Sequence, residues 1–88
     1  MKTITIHVTQ EDIDKGQVGT RLCPIARALS RECSDANDVV VGVEHALISL
    51  RGGGYRRLAL GKRASGFIYS FDHHDRVVPT TFRLRVLV

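Results

Sequence analysis

Several things are missing from this 88-residue chain, and each absence narrows what it can be. No apolar run approaches the ~20 residues that cross a bilayer, so no membrane-spanning role is expected. The stretch Met1-Lys2-Thr3-Ile4-Thr5-Ile6 lacks the apolar core and small-residue cleavage site of a secretory signal, so the expected compartment is the cytoplasm. Cysteine is limited to Cys23 and Cys33, too few for a disulfide framework. On the single helix read below they would stand ~15 Å apart along the axis, too far to bridge. Reduced, buried thiols are therefore expected. No repeat, low-complexity run or linker divides the chain. Negative charge is missing too, but only locally: from His45 to Phe71 there is no acidic residue.

What is present fits one small domain spanning residues 1–88. At 9.8 kDa, with 43% hydrophobic and 25% charged residues, the composition is globular. A chain of this size buries only about two-thirds of its unfolded surface, which excludes a two-domain enzyme. The net charge is +4. It is unevenly divided: residues 1–44 carry five basic and seven acidic groups (−2), residues 45–88 eight basic and two acidic (+6).

Ile4, Ile6 and Val8 alternate with Thr3, Thr5 and His7, the pattern of a half-buried strand. Thr9 to Asp12 reads as a capping box opening a short turn, with Gly16 as its left-handed terminator. Pro24 suits a first helical position. Leu22, Ala26, Leu29 and Cys33 then recur at helical spacing with Ile25 beside them, and Arg27, Ser30 and Arg31 fall outside. Ser34 to Asp38 holds turn residues that stop this helix, and Val39–Val43 is a β-branched buried strand. Gly52-Gly53-Gly54 between Ala46–Leu50 and Arg57–Leu60 marks a hairpin. Ala64, Phe67, Ile68 and Phe71 have helical spacing. Gly66 opposes a helix by roughly 1 kcal/mol, and the aromatics also suit a strand; helix is favoured over Lys62–Phe71. His73 to Arg76 reads as a polar turn. Thr80–Val88 alternates again, with Phe82, Leu84, Val86 and Val88 on one side; as a sheet edge it would be open to homodimerisation. The expected fold is α+β: a mainly antiparallel or mixed sheet of four to five strands with two helices on one face.

Three stretches, Ile6–Gly16, Cys23-Pro24-Ile25-Ala26-Arg27-Ala28-Leu29 and Phe67–Phe82, together resemble a group of short bacteriophage proteins of generally unassigned role. Thr9, Glu11, Ile13 and Gly16 match that group's acidic turn, and Phe71-Asp72 with Pro79-Thr80-Thr81-Phe82 match its ending. Arg21 and Leu22 stand where the group often has a further cysteine or polar residue. The resemblance implies a phage or prophage origin and hence the bacterial host cytoplasm. It implies no reaction.

The candidate site is the acid-free segment. Arg51, Gly52, Gly53, Gly54, Tyr55, Arg56, Arg57, Lys62 and Arg63 lie in it, and Arg83 and Arg85 share the polar side of the last strand. Arginine forks grip phosphate or carboxylate, glycine lets a backbone approach closely, and tyrosine stacks on a base. The plainer alternative is a solvated hairpin end. Cys23, near a helix start, is a candidate for a lowered pKa, while Cys33 reads as core. Asp72, His73, His74 and Asp75 are metal-ligand types without zinc-site spacing, so no metal or cofactor is assigned. No serine lies in a nucleophile elbow and no phosphate-binding loop is present, so the expectation is not an enzyme. The leading reading is a phage accessory protein that binds a host protein or ribonucleoprotein complex, an inhibitor of a defence or nucleic-acid-handling machine in the manner of anti-CRISPR proteins. The alternatives are a direct DNA- or RNA-binding module and, third, a small metal-binding or thiol enzyme.

Overall fold

The computed structural model describes residues 2–87. The first alternating stretch forms β1 (Thr3–Val8), and the capping box forms as read. The Thr9 N–H donates to Asp12 Oδ2 at 3.0 Å, and the Asp12 N–H donates to Thr9 Oγ1 at 3.2 Å. Together they start α1 (Gln10–Lys15), so the described chain has three helices rather than two. Next, α2 (Pro24–Glu32) has Pro24 in its first turn, then β2 (Ala36–Val41), β3 (His45–Leu50) and β4 (Tyr55–Ala59) follow. The disputed segment is helical: α3 (Gly61–Asp72) buries Ala64 and half-buries Phe67 and Ile68. The chain closes with β5 (Thr80–Leu87); the expected inward position of Val88 lies outside the described residues.

The strands form one antiparallel sheet in the order β1-β5-β4-β3-β2. The α+β architecture is therefore as expected, but β5 is not an edge. It pairs with β1 along six residues and with β4 along three, and the edges are β1 and β2. Both edges are partly filled. At His7 of β1, the N–H donates to Glu32 Oε2 at 2.7 Å and the carbonyl accepts from Arg31 Nη2 at 2.8 Å. On β2, the Val41 N–H donates to the Thr20 carbonyl. Such filling blunts a template for strand addition.

One sheet face carries the core. Ile6, Ile25, Leu29, Ile48, Leu58 and Leu84 are fully buried in a single cluster with Val8, Val39 and Phe82. Each contributes about 1.5–3 kcal/mol by burial, so this cluster is the main stabilising term. α2 packs on β1 and β2, and α3 reaches β5 through an edge-to-face pair of Phe67 and Phe82 with centroids 5.4 Å apart.

Four local expectations are corrected. Ala36 is buried and pairs with Leu50, so β2 begins inside the supposed turn, with a bulge between Ala36 and Asp38. Val43 leaves the strand, 77% exposed, because the Gly42 N–H donates to the His45 carbonyl and closes the turn there. Leu22 precedes the helix and is 52% exposed rather than core. Gly16 is not left-handed: its φ is −67°. It is glycine for space, since a Cβ there would sit 2.6 Å from the Asp12 carbonyl and 3.0 Å from the Pro24 ring.

Two glycines thus give opposite predictions. Gly16→Ala should destabilise the protein by about 1–3 kcal/mol through backbone overpacking. Gly66→Ala, where a Cβ meets nothing within 4 Å, should stabilise it by about 0.5–1 kcal/mol. Urea unfolding of both variants checks the signs.

Asp12 gives a second prediction. Burial pushes its carboxyl pKa up, but hydrogen bonds from Arg31 and Thr9 and the Arg31 charge outweigh that and hold it below 3.8. A lowered folded pKa means its contribution is fully present above about pH 4 and is lost as pH falls through the folded value. Asp12→Asn should cost about 2 kcal/mol at pH 6. The gap between variant and wild type should close towards pH 2 in unfolding curves measured across that range.

Candidate binding face

Strand geometry decides where the basic residues go, because successive side chains point to opposite faces. Arg56 pairs with Ile48 and stands at the rim of the helix-covered face, half-buried. Arg57, its neighbour, pairs with Leu47 on the opposite face. The hairpin's two adjacent arginines are therefore split and serve no common site.

The face that Arg57 joins has no helix over it. Across the sheet it presents Thr3, Thr5 and His7 of β1, Thr81, Arg83, Arg85 and Leu87 of β5, and Tyr55, Arg57 and Ala59 of β4. His45, Leu47 and Ser49 of β3 and Asp38 and Val40 of β2 complete it. None of these is buried. Arg85 lies opposite Ala59 and diagonal to Arg57, and Arg83 follows two residues along β5. The strand neighbouring the hairpin does extend its charge, as the sequence pattern requires of a joint patch. Thr3 and Thr5 stand directly across from Arg85 and Arg83. Among the described residues the one acidic side chain on the face, Asp38, is occupied by Arg21 Nη2 at 3.2 Å. Arg57, Arg83 and Arg85 form no ion pair or side-chain hydrogen bond among the described residues. Tyr55, 68% exposed, sits two residues before Arg57 on the same face.

The remaining candidates lie elsewhere. Gly53 and Gly54 have φ of +98° and +78°, so the tight tip admits only glycine easily, while Gly52 has no such requirement. Arg51 is in that turn, its N–H bonded to the Asp35 carbonyl at 3.0 Å. Lys62 and Arg63 occupy the first turn of α3. The Arg63 guanidinium lies 5.4 Å over the Phe82 ring, a cation–π contact on the covered face. A hollow of about 280 Å³, lined by Leu60, Gly61, Lys62, Arg63, Phe82 and Arg83, joins this helix start to the end of the arginine row. The sequence pattern missed Thr3, Thr5, Leu47 and Ala59 as members of the face, since only the strand order brings them beside the arginines.

The metal-ligand and thiol candidates stand apart from this face. His73 turns back on its own helix, its Nδ1 2.8 Å from the Tyr69 carbonyl and its ring stacked on Tyr69 at 4.0 Å. Among the described residues no three of His, Cys, Asp and Glu converge on a point. No described helix is long and apolar enough to cross a membrane. Cys23 caps α2, its Sγ accepting from the Ala26 N–H at 3.4 Å. Burial pushes its thiol pKa above 9.0, partly offset by that N–H, so the helix start does not activate it. Burial, with Asp35 nearby, also raises Cys33.

Both cysteines are free and buried. Ellman's reagent should therefore leave both thiols unreacted in native buffer and titrate both in guanidinium. Rapid native labelling of Cys23 would contradict the burial and the raised pKa.

Comparison with protein-family profiles, curated proteins and solved structures returns no match to this chain.

Proposed function

We propose that this chain is a non-enzymatic accessory protein of the phage kind its motifs resemble. It acts by holding a polyanionic host macromolecule on its uncovered sheet face, and so occludes a nucleic-acid-handling or defence machine. The observation that carries this reading is the row Arg57–Arg85–Arg83 on a helix-free face where, among the described residues, the one acidic side chain is already paired. An exposed guanidinium retains its fork of donors for phosphate or carboxylate.

The sign of the charge refines the mode of action. A basic face complements nucleic acid and does not imitate it, so it is not suited to replace nucleic acid in a basic channel. It suits contact with the nucleic acid itself or with an acidic surface. The three arginines also supply on-rate, since like charges on one face attract an anionic partner over about a Debye length, ~8 Å at physiological salt.

Pull-down from bacterial lysate, with and without nuclease, tests this. The wild type should retain a partner at moderate salt, and the triple variant Arg57→Glu, Arg83→Glu, Arg85→Glu should lose it while keeping its circular dichroism spectrum. Equal retention by the triple variant removes the face from consideration.

A further inference from the structure

We propose that the ligand of this face is a single-stranded nucleic acid, laid from Tyr55 across Arg57 and Arg85 to Arg83. The inference rests on the reading of the uncovered sheet as the binding surface, and adds the chemistry of what it binds.

The geometry of the row comes first. Arg85 and Arg83 are two residues apart on one strand, a step of about 6.8 Å. Arg57 is the diagonal cross-strand neighbour of Arg85, a step of about 7–8 Å. Two nearly equal steps of that size match the spacing of successive phosphates in an extended single strand. Ala59, opposite Arg85, leaves the side between β4 and β3 low, and Thr3 and Thr5 place hydroxyls across from the arginines on the other side. A backbone following the row thus meets guanidinium groups in line and hydroxyl donors beside them.

The aromatic residue selects among anions. Tyr55 has an open ring face, with Leu47 exposed on the adjoining strand diagonal to it. An unpaired base has a free π-face to place there, worth about tenfold or more in affinity. In a duplex the base faces are already stacked on one another. An acidic polypeptide would satisfy the arginines and leave Tyr55 with no partner. The planar guanidinium of Arg57, in one row with Leu47 and Leu87, offers a second surface for base stacking. Beyond Arg83 the row ends at the hollow that Lys62 also lines, while Arg63 is held over Phe82 on the covered face.

The test is fluorescence anisotropy of the full chain with labelled oligothymidylate and oligouridylate of about 12 nucleotides. A duplex of equal length and polyglutamate serve as the competing probes. At least one single strand should bind more tightly than the duplex and polyglutamate. Three phosphate contacts should give log K against log salt a slope of about −2. Arg85→Gln should lower that slope by about 0.7. Tyr55→Ala should weaken binding about tenfold and Tyr55→Phe should restore it, since the ring and not the hydroxyl stacks. Tyr55 is exposed, so both variants should fold, and their unfolding midpoints confirm it. Tighter binding of the duplex or of polyglutamate overturns the proposal, as does an unaffected Tyr55→Ala. If no oligonucleotide binds while the lysate partner still depends on the three arginines, this inference falls and the binding face stands. If neither depends on them, both fall.

Discussion

A single buried carboxylate ties three elements together. Asp12 is fully buried, and an ionised group in that position is tolerated only when its lone pairs are met. It accepts from the Thr9 N–H at the start of α1 and from Arg31 Nη1 of α2 at 2.6 Å, with Arg27 Nε at 3.6 Å. Arg31 in turn donates to the His7 carbonyl of β1, and Glu32, its neighbour, accepts from the His7 N–H. Helix cap, helix pairing and strand edge are thus one network. Removing Asp12 would take the carboxylate partner from Arg27 and Arg31 as well as the cap, which is why its loss is expected to exceed that of an ordinary cap.

This network lies on the side of the sheet that the apolar strand residues face. It holds α1 and α2 against the side where Ile6 and Val8 point, and α3 returns to the same side through Phe67 on Phe82. Gly16 belongs to this arrangement, because the chain must pass the Asp12 carbonyl and the Pro24 ring at close range to bring α2 back beside α1. With all three helices on one side, the other face stays bare. Its polar character is then required by water rather than by a neighbour, and the residues there are free to be chosen for contact.

The elements set by local rules could be read from the sequence. The capping box, the proline at the start of α2, the triglycine turn and the spacing of Ala64, Phe67 and Ile68 each depend on residues within one or two turns of each other. The misread features depend on distant partners. Nothing near β5 says that it inserts between β1 and β4, so its interior place was invisible. Gly16 has a glycine's usual signature at a helix end, yet its reason is room beside the Asp12 carbonyl and the Pro24 ring rather than a left-handed φ. Cys23 sits where a helix start lowers a thiol pKa, but burial outweighs the N–H contacts. For the candidate site, the charged segment was legible and its partition was not. Arg56 and Arg57 are neighbours in sequence and lie on opposite faces, while Arg57 and Arg85 are far apart in sequence and share one.

The asymmetry between the two halves of the chain has a structural meaning. Of nine acidic residues, only Asp38 lies in a strand; the others are in helices and turns. β1, β3, β4 and β5 contain no Asp or Glu, so among the described residues the arginines of the bare face have no acidic side chain beside them. Holding three like charges there costs the isolated protein little, because at exposed positions water reduces a unit-charge repulsion even at 4 Å to about 1 kcal/mol, and salt reduces it further. The same charges act more strongly once a partner displaces that water and the local dielectric falls. A neutral or basic partner would then raise the repulsion, and a polyanion would relieve it. The face is therefore tolerable when empty and selective by sign when occupied, and the apolar cluster on the covered side of the sheet holds the fold in either case.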